Sequence, residues 1–100
     1  MRASIHNVRL TNRVTITLIF NLDTDQWIII NDGTRGSIRG RMVRMGTIDR
    51  ERTHHYFWIG TREYKLVVDP TEDGTAWDTF SFFDIKKQSY IEGADGKINA

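Results

Sequence analysis

Apolar and polar residues alternate with a period of two along most of this chain. In residues 13–22, RVTITLIFNL, the even positions Val14, Ile16, Leu18, Phe20 and Leu22 are all apolar, and the odd positions are polar apart from Ile19. Successive strand side chains point to opposite faces, so the pattern predicts a β-strand with one dry face; a helix would scatter the five residues around its axis. Upstream, residues 3–10 form a candidate first strand with Val8 and Leu10 on one side and Ile5 on the other. A two-residue turn would place Leu10 opposite Arg13. An odd loop over residues 11–13 instead sets Leu10 opposite Val14 and Val8 opposite Ile16. The odd loop is preferred, because a one-residue slip moves every side chain to the other face.

Two further segments carry hairpin signals. Asp32-Gly33 follows QWIIIN (26–31), and Asp-Gly between apolar strands suits a tight turn with positive φ at both central positions. Closing on that pair sets Ile30 opposite Arg35, Ile29 opposite Gly36, Ile28 opposite Ser37 and Trp27 opposite Ile38. Trp27, Ile29 and Ile38 then share a core face, with Gly36 and Gly40 leaving room for the indole. The returning segment 34–45, TRGSIRGRMVRM, points Arg35, Arg39 and Arg41 outward as a stripe, and Arg44 joins them if a bulge at Gly40 shifts the register. A helix over this segment is the alternative, opposed by glycines at 36, 40 and 46 that would cost about 1 kcal/mol each.

The second hairpin joins THHYFWIG (53–60) to REYKLVVD (62–69) through Gly60-Thr61. Its register sets Phe57 opposite Tyr64, His55 opposite Leu66 and Thr53 opposite Val68 on an apolar face. On the other face Trp58 meets Glu63, Tyr56 meets Lys65 and His54 meets Val67. Pro70 ends the strand and TEDGT (71–75) turns the chain. Residues 76–85 form an aromatic-rich strand with Phe80 and Phe82 on one face and Trp77 and Phe83 on the other. A turn over 86–89 leads to a last strand at Tyr90-Ile91, with a short helix over 84–92 as the alternative. Residues 46–52 read as an exposed connection. The glycine-containing 93–100, GADGKINA, reads as a flexible C-terminal tail, which leaves residues 1–92 as a single β domain. Short strands with turn signals every eight to twelve residues predict an all-β fold, a small antiparallel barrel or sandwich of seven or eight strands built from hairpins.

Composition narrows the class further. With 100 residues, 39% hydrophobic and 27% charged, the chain has the makeup of an ordinary globular domain able to bury one modest core. No apolar run approaches the ~18 residues of a membrane span, and residues 1–10 lack the apolar middle of a secretory signal. Cysteine is absent, which excludes disulfides and thiolate chemistry and suits a reducing, cytoplasmic setting. The net charge is only +1, but residues 1–65 hold eleven basic and six acidic side chains, against three and seven in residues 66–100. All ten arginines fall within the first 62 residues, and guanidinium makes planar, forked contacts that lysine cannot.

Enzymatic motifs are missing. The serines at 4, 37, 81 and 89 sit in no GxSxG elbow, and no phosphate-binding glycine loop occurs. Asp69, Glu72 and Asp73 cluster at a turn, as do Asp23 and Asp25, but turns collect Asp for backbone reasons. His54 and His55 are adjacent, so on a strand they face opposite ways and cannot hold one metal as a pair; His55 reads as a core-edge imidazole. No cofactor or metal site is inferred.

The aromatic residues say more. Tyr56, Trp58, Trp77 and Phe83 lie off the main core face in this register, and exposed rings near an arginine stripe have the composition of a binding hot spot. The sequence therefore predicts a non-enzymatic protein-protein interaction module. It is either a self-assembling subunit or a small, phage-type inhibitor or adaptor, and it uses Arg35, Arg39, Arg41, Arg44, His54, Tyr56, Trp58 and Lys65. The alternative is an RNA or single-stranded DNA binding barrel using the same groups, because bases stack on rings and phosphates pair with guanidinium. A pI near 8.1 and the scarcity of lysine favour a protein partner. A metal-dependent enzyme using the turn carboxylates is the third reading. No membrane or small-molecule substrate is inferred.

Overall fold

The computed structural model describes residues 2–23, 26–31, 43–44 and 53–98. The expected Asp32-Gly33 turn, the returning segment 34–45 apart from residues 43–44, and the connection 46–52 lie outside them. The described residues form eight strands and no helix, so the segment 84–92 is turn and strand. The strands are β1 (Ala3–Arg9), β2 (Thr15–Asn21), β3 (Gln26–Asn31), β4 (Val43–Arg44), β5 (Thr53–Ile59), β6 (Arg62–Pro70), β7 (Trp77–Asp84) and β8 (Ser89–Lys97). They make two four-stranded antiparallel sheets, β1-β2-β3-β4 and β5-β6-β7-β8, each in simple sequence order. The all-β, hairpin-built class is the expected one, with two separate ladders rather than one closed ladder among the described residues. The chain divides into two compact units, Met1–Gly46 and Thr47–Ala100, one around each sheet.

In the first unit the odd loop forms as the alternation requires. Val8 stands opposite Ile16, and the Leu10 amide donates to the Val14 carbonyl at 2.9 Å. The Thr11 hydroxyl accepts from the amides of Arg13 and Val14, which stabilises the loop locally. Val8, Leu10, Ile16, Leu18, Phe20, Trp27 and Ile29 are buried on one face. On the other face Ile5, Ile19 and Ile28 align across three strands, and Ile5 is exposed.

The β3–β4 ladder departs from expectation. Trp27 stands opposite Val43 and Gln26 opposite Arg44, where a tight Asp32-Gly33 turn would have set Trp27 opposite Ile38. A two-residue turn fixes its neighbours' register rigidly, so Trp27 opposite Val43 is not the pairing that a tight turn at Asp32-Gly33 would set.

The second unit follows the predicted hairpin residue for residue. Every pair from Thr53–Val68 to Ile59–Arg62 matches, and Gly60 takes φ 60, as the first position of such a turn demands. Tyr64, Leu66, Val68, Phe80, Phe82, Ala94 and Ile98 are buried, and Phe57 stacks on Tyr64 and meets Phe82 edge-on. Burying each large apolar side chain contributes roughly 1.5–3 kcal/mol. Burial raises the Tyr64 phenol above its ordinary pKa.

Two irregularities overturn expectations here. Between Asp69 and Pro70 the ladder shifts: Asp69 faces Thr79, but Pro70 faces Trp77. That bulge inverts the alternation for Trp77, which is 5% exposed and belongs to the buried set, not to the outer face. A second shift, between Ser81 and Phe83, inserts extra residues in β8, with Gly93 at φ 80 among them. The chain then re-pairs, with Asp95 opposite Ser81 and Lys97 opposite Thr79. Residues 93–98 are thus paired strand and core, not a flexible tail; Ala94 and Ile98 are buried, and the Ile98 amide donates to the Asp78 carbonyl at 2.8 Å. The glycines that suggest fraying serve the bulge and a close approach: a β-carbon on Gly96 would lie 3.2 Å from two Phe80 ring carbons.

Two carboxylates are consumed by local structure. Asp73 Oδ1 accepts from the Thr71 hydroxyl, the Thr75 hydroxyl and the Thr75 amide, which closes the 71–75 turn and lowers its pKa to about 2. Asp84 is buried, and burial pushes its carboxyl upward. The Arg62 Nη2–Oδ2 contact at 2.8 Å and the Lys87 amide on Oδ1 outweigh that, so its pKa lies below the ordinary value.

Phe82→Ala is expected to cost about 3–5 kcal/mol, read as a drop in the urea midpoint. Both lowered carboxyls bind protons more readily in the unfolded chain, so their contribution is present above the ordinary value of 3.8 and is lost as pH falls through the folded value, about 2 for Asp73. The melting temperature should fall between about pH 5 and 2. Asp73→Asn should start lower at neutral pH and lose less across that window; equal losses in both proteins would contradict the assignment.

Candidate functional site

The outward face of the β5–β8 sheet carries a transverse row. Tyr56 faces Lys65, Lys65 faces Phe83 and Phe83 faces Tyr90, one residue from each strand. Antiparallel pairing with a period of two puts all four on one face. Tyr56 is 61% exposed and Tyr90 50% exposed, while Phe83 and Lys65 are half-buried between them. The Lys65 Nζ lies 4.6 Å from the centroid of the Phe83 ring and 6.0 Å from that of Tyr56. Tyr90 packs edge-on against Phe83 at 5.1 Å, which fixes the ring under the ammonium. The arrangement is a cation held by ring faces, a contact that contributes about 0.5–1 kcal/mol at exposed sites.

The adjoining row, one pleat nearer the β5–β6 turn, contains Trp58 opposite Glu63, with the Ile85 amide donating to the Glu63 carbonyl at 3.2 Å. Trp58 is 54% exposed. These residues, with Thr61, Arg62 and Lys86, line an open cleft of about 270 Å³. Arg62 is committed to Asp84, which raises its pKa and cancels its charge locally. Besides that pair, the cleft lining carries one carboxylate, Glu63, and one ammonium, Lys86. In the opposite direction Val67 is fully buried, so the open area ends two positions beyond Lys65.

Of the residues expected to bind a partner, Tyr56, Trp58 and Lys65 come together on this face. His54 is exposed at its far end, opposite Val67. His55 turns to the other face and is half-buried; burial first, and then the neighbouring His54, lower its pKa. Arg35, Arg39 and Arg41 lie outside the described residues, and Arg44 is placed only by its pairing in β4. Among the described residues the site is built from aromatic residues and lysine of one sheet. Tyr90, Glu63, Ile85 and Lys86 are additions to it. Pairing Asp84 with Ser89 across the four-residue turn 85–88 would have brought Tyr90 beside Phe83, but the turn's length was not fixed by its residues alone.

No group of three or more His, Asp or Glu that could hold an ion occurs among the described residues, and Asp73 already serves its own turn. No helix among them is long and apolar enough to cross a membrane. Comparison with protein-family models, with curated proteins and with solved structures finds no match to this chain.

Proposed function

We propose that the protein is a non-enzymatic protein-protein interaction module that docks through the outward face of the β5–β8 sheet. The observation that carries this reading is the exposure of Tyr56, Trp58 and Tyr90 together on one face, around a lysine held between rings. Tyr and Trp deliver large contact area at low entropic cost and dominate binding hot spots, and their clustering leaves an apolar patch that water solvates poorly. The cysteine-free composition suits a reducing compartment such as the cytoplasm. A docking inhibitor or adaptor fits this face.

The nucleic-acid reading draws on the same rings, but the face that stacks them also carries Glu63 and Asp95. Carboxylates beside the rings oppose a phosphate backbone, whose affinity comes from many cationic contacts. The protein reading is therefore the stronger.

Placing a photo-crosslinking amino acid at position 90, in the cells that make the protein, tests it. The expected product is a discrete, nuclease-resistant protein adduct, lost on Trp58→Ala although that exposed substitution changes stability by only about 0.5 kcal/mol. A nuclease-sensitive adduct, or one of equal yield from position 72 in the remote 71–75 turn, would overturn the proposal.

A further inference from the structure

The dimensions and charges of this face specify its partner more narrowly; the argument rests on the docking role proposed above. An aromatic side chain offers roughly 150–250 Å², so three rings about half uncovered, with the parts of Phe83 and Ile85 beside them, present roughly 300–500 Å². A stable contact between two globular proteins needs about 800 Å² from each side. The open area is bounded at one end by buried Val67 and at the other by the β5–β6 turn. It is too small for a second folded copy and large enough for a few residues of an extended chain.

Charge decides what those residues are. The Lys65 ammonium rests on the Phe83 and Tyr56 rings and makes no ion pair among the described residues. Those rings bias the ammonium toward this position, so a partner carboxylate that meets it costs less side-chain entropy on the protein's side. Lys86 on the cleft rim is likewise without an ion-pair partner among the described residues, whereas the Arg62 charge is spent on Asp84. Glu63 lies opposite Trp58, so it repels a second carboxylate from the cleft and leaves the indole and Ile85 for an apolar group. Lys65 and Glu63 are two residues apart on β6, a separation of roughly 6.6–6.8 Å, which equals the spacing of alternate side chains on an extended partner.

We infer that this face reads a short extended segment of a partner protein in the pattern acidic-x-apolar, with the carboxylate received by Lys65 and the apolar side chain by the cleft between Trp58 and Ile85. The segment lies along β6, its middle residue turned to solvent.

A random dodecapeptide library displayed on phage, panned against the wild-type chain and against Lys65→Met and Trp58→Ala, tests the inference. Wild type should enrich peptides with Asp or Glu two positions from a large apolar residue. Lys65→Met, which keeps the stem over the rings, should weaken a selected peptide about tenfold or more, and so should Asp→Asn within the peptide, which cannot disturb the protein's fold. The two changes together should cost little more than either alone. Peptides lost on Trp58→Ala but lacking an acid and indifferent to Lys65→Met would overturn this inference while leaving the docking face intact. Absence of any Trp58-dependent enrichment would overturn both. Retention of a labelled oligothymidine at low salt, lost on Lys65→Met, would replace the peptide with single-stranded nucleic acid.

Discussion

Hydrogen bonding between neighbouring strands fixes which side chains share a face, and a single-residue change of register exchanges the two faces outright. In the β5–β8 sheet that constraint separates two sets with little overlap. Tyr64, Leu66, Phe80 and Phe82 make the dry side, while Tyr56, Lys65, Phe83 and Tyr90 make the wet one. Slipping β6 by one residue would bury Lys65 and Glu63 without partners, each at a cost of several kcal/mol. The composition of the outward row is therefore protected by the energetics of the inward one.

The two cations of β6 show how one strand separates stability from recognition. Arg62 is paired with a buried carboxylate that also accepts from the Lys87 amide, so it ties the β6 start to the β7–β8 turn. Lys65, three residues on and facing the other way, is supported by ring faces and keeps its charge available. A forked guanidinium suits the first task, and a compact ammonium on a flexible stem suits the second.

Local rules were enough where turns were short. The Gly60-Thr61 hairpin and the odd loop after Leu10 were legible residue for residue, because turn length and alternation there point to one register. Tyr56, Trp58 and Lys65 were legible as one face for the same reason. Legibility failed where an extra residue enters a ladder. Nothing in residues 69–79 announces that Pro70 will face Trp77, yet that bulge moves Trp77 from the outer face to the core. The pairing of Trp27 with Val43 is likewise a non-local choice that the strong Asp-Gly signal conceals. Arginine is the commonest charged cue in the sequence, whereas the described site turns on a lysine whose significance comes from the rings beside it.

Gly96 carries a different implication. It is half-buried near the end of the chain and bears no chemistry, yet a β-carbon there would lie 3.2 Å from two carbons of the Phe80 ring, closer than ordinary van der Waals contact. The position works as a spacer between an edge strand and the interior, so its tolerance to mutational drift is set by an aromatic neighbour on another strand and not by its own exposure. Any side chain at residue 96 needs the Phe80 ring to give way by a few tenths of an ångström, so the freedom of one position depends on that of the other.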